Sequence, residues 1–169
     1  WEGKTSLDPT PIILTESDYD LENIGFQLGS AYPGVEMFFF NLDRPIISEL
    51  AVRQAIAYGT DRLRMLNEVW AEMGYQGAVQ QTYVTDKHWA HASDSEVTVY
   101  PFNPSLARGI LNAAGWIDSN ANGIRDKNGE ELTLNYVTNS LPPRVQARTI
   151  YIENMQDIGI QINAAYMPF

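Results

Sequence analysis

Four stretches of the chain place apolar residues three or four positions apart, the spacing at which a helix buries one face. They are residues 48–58, 60–73, 104–114 and 143–158. Ser48 is placed to cap the first of these helices. Its apolar stripe is Val52, Ala55, Ile56 and Gly59. In the second helix, the residues predicted to face inward are Leu63, Leu66 and Trp70.

Three other stretches have the pattern of strands. Residues 35–42 form a continuous apolar run, which predicts a strand buried on both faces. Residues 132–138 alternate between apolar and polar side chains, and residues 160–166 follow the last helix as another strand. Helices of this kind need a sheet face to cover. The predicted fold class is therefore α/β, with a mixed sheet covered by helices.

The composition narrows the possible functions. The chain has 169 residues, 44% apolar residues and 19% charged residues, which is typical of a folded globular protein. Its net charge of −10 opposes binding to a phosphate backbone, so we expect no nucleic-acid partner. No apolar run approaches the roughly 20 residues that span a membrane. The N-terminal segment, residues 1–37, is polar and rich in turn formers, with a possible edge strand at 11–15.

An Asp/Asn-rich loop at 118–131 has the opening spacing of an EF-hand calcium loop, with a glycine at its sixth position. A strand rather than a helix is predicted after it, and Gly129 stands where an EF-hand has a bidentate Glu, so it is not an EF-hand. One hypothesis is a single structural Ca²⁺. Its ligands would be Asp118, Asn120, Asn122, the Ile124 carbonyl, Asp126 and Glu130, with Glu131 as a substitute for the last. The alternative is a metal-free loop held by Asx turns.

The sequence gives little support for catalysis or for a transition-metal site. No nucleophile lies in a strand–turn–helix elbow, and no glycine-rich phosphate loop is present. His88 and His91 are three residues apart in a loop with no nearby carboxylate pair, which is typical of surface or packing residues. We therefore predict that the protein is not an enzyme.

The order of these elements and their motifs resembles the extracellular solute-binding proteins of family 5, the peptide, oligopeptide and nickel receptors of ABC importers. The resemblance runs from residue 38 to residue 162. It is carried by Phe40-Asn41, Pro45, Val52 to Ile56, Tyr58, Asp61-Arg62, Tyr100-Pro101, Pro104, Ala107, Leu111, Ala114-Gly115 and Ile158 to Ile160.

The resemblance implies a bilobal receptor that closes around a peptide or another small solute and delivers it to a membrane permease. Residues 38–169 would be part of its C-terminal-type lobe. The segment that pairs with a peptide's amino terminus and the opposing lobe would lie outside this chain. The resemblance also implies an extracytoplasmic location, in the periplasm or at the cell surface, with membrane attachment only through a lipid anchor outside this chain.

By the same resemblance, two places would line the ligand cleft. The first is the strand before Asn41, at Phe38 and Phe39, and the second is the loop from Asn139 to Arg144. An apolar wall at Phe39 would disfavour basic ligand side chains. The alternative is that Phe38 and Phe39 are ordinary sheet core. The alternative function is that of a stand-alone calcium-stabilised extracellular interaction module. The acidic loop and the net charge support this alternative.

Overall fold

The structure is a computed structural model that describes residues 35–74, 77–85 and 88–167. All of these lie in one compact unit, Val35–Phe169. The possible edge strand at 11–15 lies outside the described residues. The predicted boundary between residues 37 and 38 falls three residues beyond the start of this unit.

Helices form most of the regular structure in the described residues. They are α1 (Pro45–Ser48), α2 (Leu50–Gly59), α3 (Arg62–Met65), α4 (Pro104–Ala113) and α5 (Pro142–Asp157). A π-helical stretch, Leu66–Ala71, continues α3. Asn103 caps α4 by accepting from the Leu106 N–H, and Pro104 occupies the first turn, where a missing N–H costs nothing. None of the described helices is long and apolar enough to cross a bilayer.

Two short sheets accompany the helices in the described part of the chain. Strands β3 (Thr133–Thr138) and β4 (Gln161–Tyr166) pair in parallel, with Leu134 opposite Ile162. Helix α5 connects them as a crossover. Strands β1 (Asp126–Lys127) and β2 (Glu130–Glu131) form an antiparallel hairpin. Its turn residues, Asn128 and Gly129, both have positive φ, which Asn and Gly tolerate best.

The core lies where α2, α4 and α5 meet the inner face of β3 and β4. Leu132 and Leu134 lie on this inner face, and the alternation predicted for 132–138 is confirmed. The apolar stripe of α2 is confirmed as well, because all four of its residues are buried. The largest fully buried side chains are Trp116, Ile56, Leu111, Leu132, Met155, Ile158, Ile160, Val52 and Val69. These observations confirm the α/β class.

The strand predicted at 35–42 is wrong. Residues 35–41 belong to no strand, and Phe39 is 87% exposed. An apolar run becomes a buried strand only when another strand takes up its backbone hydrogen bonds and a second layer covers it. In the described residues, β3 and β4 pair only with each other, so residues 35–41 have no pairing strand. Only individual side chains of this segment pack against the rest of the unit.

Two details of the predicted helices are also wrong. Ser48 ends α1 instead of capping α2, and the residue before α2 is Glu49, whose side chain makes no cap. In the second predicted helix, Leu63 is 58% exposed, while Met65 and Val69 are buried. The inner face of this helix is therefore the one that carries Met65 and Val69, and Leu63 lies outside it.

Candidate functional site

The predicted ligand residues lie around the carboxyl ends of β3 and β4. These two strands end at Thr138 and Tyr166, and α5 begins nearby at Pro142. In parallel sheets this edge is where ligands bind, because loops and helix starts meet there. Asn139 directly follows β3, and its Oδ1 accepts a hydrogen bond from the Leu141 N–H at 3.2 Å. This bond fixes the turn that leads into α5.

Three aromatic rings form a cluster beside this edge. Phe38 packs edge-on against Tyr136 of β3, with 5.8 Å between ring centroids, and lies 4.7 Å from Tyr151 of α5. Tyr136 and Tyr151 are 5.3 Å apart. Burial raises the pKa of both tyrosines above their ordinary values, most strongly for the buried Tyr151. The rings therefore form an apolar wall with two neutral hydroxyl groups.

An ion pair borders the aromatic cluster. Arg144 Nη2 lies 2.7 Å from Glu36 Oε1, and Arg144 Nε lies 3.1 Å from Glu36 Oε2. This is the fork geometry in which a guanidinium donates to both oxygens of one carboxylate. The hydrogen bonds to Glu36 raise the pKa of Arg144 above its ordinary value. Arg144 is thus already partnered within the described residues, and its carboxylate partner is half exposed.

The structure brings some of the predicted ligand residues together and separates others. Phe38 packs on Tyr136, and Arg144 pairs with Glu36, two residues before Phe38. Phe39 points to solvent, and the alternative that it is sheet core is wrong. Phe38, by contrast, packs on Tyr136 and Tyr151, so it combines a packing role with 39% exposure.

Arg148 and Tyr166 were not predicted from the sequence as residues of the candidate site. Arg148 lies one helical turn after Arg144 on α5, and its guanidinium carbon is 4.2 Å from the centroid of the Tyr166 ring at the end of β4. A cation over an aromatic face is attracted by the ring quadrupole. The sequence does show that Arg144 and Arg148 are four residues apart, which places them on one face of a helix. This spacing does not indicate that Arg148 contacts Tyr166.

The Asp/Asn loop is held by its own side chains. The Asp118 carboxylate accepts from the N–H groups of Asn122 and Gly123, at 3.1 and 2.9 Å. Asn120 Oδ1 accepts from the Asn122 N–H, and Asn122 Oδ1 accepts from the Ile124 N–H. These are the side-chain-to-backbone bonds of Asx turns. These hydrogen bonds order the loop without an ion.

The other predicted calcium ligands are spread around the loop. Both oxygens of Asp126 accept from Ser119, and Glu130 is exposed in β2, opposite Lys127. Glu131 Oε1 accepts from Asn122 Nδ2. Among the described residues, no group of three or more His, Cys, Asp or Glu side chains could hold a metal ion. The calcium hypothesis, which also uses amide and carbonyl oxygens, stays a prediction.

Comparisons with known proteins agree with the resemblance found in the sequence. The oligopeptide-binding protein AppA of Bacillus subtilis is 27% identical over 124 residues, which are 73% of this chain and 22% of AppA. The structure of AppA in complex with a nonapeptide matches with a TM-score of 0.70 and 26% identity, covering 76% of this chain and 25% of that one. NikZ from Campylobacter jejuni, in complex with Ni(L-His), matches with a TM-score of 0.66 and 25% identity, with the same coverage.

The chain spans about a quarter of the length of these relatives. AppA is named as an oligopeptide-binding protein, which agrees with the prediction that the chain is not an enzyme. None of these matches supports a stand-alone calcium-stabilised module. The family model described as "Bacterial extracellular solute-binding proteins, family 5 Middle" matches residues 5–169 of this chain. The predicted extracytoplasmic location agrees with that description. The chain belongs to the bacterial extracellular solute-binding proteins of family 5.

Proposed function

We propose that this chain forms part of one lobe of a receptor that binds a peptide, or a similar small solute, and delivers it to the permease of an ABC importer. Family membership supports the receptor class. The observation that carries the proposal for this chain is the aromatic wall of Phe38, Tyr136 and Tyr151 at the carboxyl ends of β3 and β4. Ligand sites are mostly apolar, with a few polar groups that fix orientation.

The chemistry of this edge suits a peptide. A peptide offers apolar side chains that pack on aromatic rings, together with amide and carboxylate groups that pair with hydroxyl and guanidinium groups. Phe39 adds an aromatic ring that is 87% exposed and is therefore open to contact with a ligand. The AppA structure holds a nonapeptide and the NikZ structure holds Ni(L-His). A small nickel complex is therefore the competing ligand.

A receptor of this type encloses its ligand between two lobes. Closure excludes water from the cleft, so polar contacts strengthen and both walls contribute apolar area. The surface described here would supply one wall. The other wall would come from an opposing lobe, as the bilobal architecture of the family implies.

The test uses the full reading frame that carries this chain. The purified protein would be denatured, and the released ligands would be identified by mass spectrometry. We expect peptides, and we expect Phe39→Ala to weaken their binding in calorimetry without changing the free energy of unfolding. Glu72→Ala, on an exposed position just after the π-helical stretch, is the matched control and should change neither quantity. A protein that carries only a nickel complex, or a Phe39→Ala variant with unchanged affinity, would contradict the proposal.

A further inference from the structure

Two asparagines in the Asp/Asn loop and its hairpin are each followed by a glycine. The pairs are Asn122-Gly123 and Asn128-Gly129, and all four residues are exposed. Glycine has no Cβ atom, so nothing shields its backbone nitrogen from the side chain of the residue before it. An asparagine in this position is therefore open to loss of its side-chain amide. The sequence does not distinguish the two pairs, but the structure does.

The loss of the amide is an intramolecular reaction. The backbone nitrogen of the glycine attacks the asparagine Cγ atom and gives up its proton, the Cγ–Nδ2 bond breaks, and the nitrogen leaves as ammonia. Water then opens the resulting cyclic imide at one of its two carbonyl groups, which gives an aspartate or an isoaspartate. The reaction requires the Cγ atom and the glycine nitrogen to approach each other, so hydrogen bonds that hold either group slow it.

Asn122 is held at both reacting groups. Its Oδ1 accepts from the Ile124 N–H at 2.8 Å, and its Nδ2 donates to Glu131 Oε1 at 2.8 Å. The Gly123 N–H donates to Asp118 Oδ2 at 2.9 Å. A negative charge next to an N–H also disfavours loss of its proton. Attack on Asn122 would therefore have to break these three hydrogen bonds first.

Asn128 has none of these restraints. In the part of the chain that the structure describes, neither its side-chain amide nor the Gly129 N–H makes a hydrogen bond. The pair forms the turn between β1 and β2, whose strands have two residues each. A hairpin this short is marginally stable, so its turn opens readily to conformations in which the two groups can meet.

We propose that Asn128 is a site of spontaneous deamidation in the folded protein, and that Asp118 and Glu131 protect Asn122 from the same reaction. Conversion of Asn128 adds a negative charge to the turn next to Glu130, and the isoaspartate form also adds a methylene group to the backbone. The cross-strand pair of Lys127 and Glu130, which closes this turn, is the first contact affected. The inference does not depend on the proposed function.

The experiment uses the full reading frame that carries this chain, kept folded in warm, mildly alkaline buffer and, in parallel, unfolded in guanidinium chloride. Trypsin cuts after Arg125 and Lys127, so Asn122 and Asn128 fall in separate peptides. Mass spectrometry follows the loss of each amide over time, and a sample digested at once gives the baseline. In the folded protein we expect Asn128 to react at least about tenfold faster than Asn122, because the net strength of one hydrogen bond corresponds to roughly this change in rate. The two rates should converge in guanidinium chloride.

Two variants test the protection of Asn122. Asp118→Ala frees the Gly123 N–H and should speed the loss at Asn122 in the folded protein. Glu131→Ala frees Asn122 Nδ2 and should have the same effect, so it serves as the test if Asp118→Ala does not fold. Asp43→Ala is the matched control, because it removes an equal charge from an exposed position outside the loop, and it should leave the rate unchanged.

The outcomes separate the two parts of the proposal. Equal rates for Asn122 and Asn128 in the folded parent would overturn it, as would a folded protein that keeps both amides while the unfolded protein loses them. If Asn128 reacts faster but Asn122 keeps its parent rate in the folded Asp118→Ala and Glu131→Ala variants, the protection assigned to these two side chains is wrong.

Discussion

Gly159 lies directly against the side chain of Arg125: a Cβ atom placed on Gly159 would come 2.8 Å from Arg125 Cγ. Gly159 also has a φ of +82°, in the region that favours glycine. Its carbonyl accepts from the Arg125 N–H at 2.9 Å, and Arg125 Nε donates to the Ile158 carbonyl at 2.7 Å. The end of α5 and the Asp/Asn loop are therefore joined through this pair.

Replacing Gly159 should be costly for two separate reasons. We expect Gly159→Ala to lower the free energy of unfolding by about 2–4 kcal/mol, from the positive φ and from overlap with Arg125. Gly129→Ala is the control, because Gly129 has the same φ and no atom within 4 Å of the added Cβ. It should lose only about 1–2 kcal/mol. Urea unfolding measures both, and equal losses would show that the contact with Arg125 has no effect.

Phe38 and Phe39 are adjacent but should respond differently to truncation. Phe38→Ala removes two ring contacts and should lower the free energy of unfolding by about 1–2 kcal/mol. Phe39→Ala removes a ring that is 87% exposed and should change it by less than about 0.5 kcal/mol. Urea unfolding of the two variants measures this difference. A comparable loss in both would mean that Phe39 packs against the protein after all.

The buried Tyr151 should make stability depend on alkaline pH. Burial raises its pKa in the folded protein, so the folded state favours the neutral hydroxyl. This contribution is complete below the unfolded-state pKa of about 10 and is lost as the pH rises from there toward the raised folded value. We expect the free energy of unfolding to fall as the pH rises above about 10, and to fall less in Tyr151→Phe.

The control for this pH dependence is Tyr83→Phe, because the Tyr83 ring is 75% exposed. Tyr83→Phe should keep the parent slope of stability against pH. Urea titrations at several pH values give the slopes. Parallel curves for the parent and Tyr151→Phe would rule out a contribution from Tyr151.

The Asp/Asn loop can be tested for calcium by melting. We expect the same melting temperature in chelator and in millimolar calcium, because hydrogen bonds to the side chains of Asp118, Asn120 and Asn122 already order the loop without an ion. A bound ion at a hundredfold excess over its dissociation constant would instead add about 2.7 kcal/mol, a shift of roughly 5–10 °C. A calcium-dependent shift in the parent that is absent in Asp118→Ala would establish the metal site.

The helices and strands that could be predicted from the sequence are those whose signals, such as a cap or an apolar stripe, lie within the element itself. Helices α4 and α5 and strand β3 carry their own caps, stripes or alternation, and they form near the expected residues. The segment at 35–42 has an equally strong apolar pattern, but apolarity does not specify a pairing strand. Its side chains have separate environments: Phe38 packs on the aromatic cluster, and Phe39 is exposed to solvent.

The candidate site was only partly predictable for a related reason. Phe38 and Arg144 were identified by resemblance, and the structure packs Phe38 on Tyr136 and pairs Arg144 with Glu36. The contact between Arg148 and Tyr166 depends on how α5 lies across the parallel pair and on where β4 ends. The spacing of residues along a single helix or strand determines neither of these two features. The contact between Arg148 and Tyr166 could therefore not be predicted from periodicity.

The π-helical stretch at Leu66–Ala71 also affects how this chain should be aligned with others. Each π turn holds about one residue more than an α turn, so the stretch acts as a local insertion that leaves the helix continuous. Leu63 and Trp70 are seven residues apart and would share a face in an α-helix, yet Leu63 is exposed while Trp70 packs against the core. An ungapped alignment with a relative that is α-helical here would pair side chains that point in different directions.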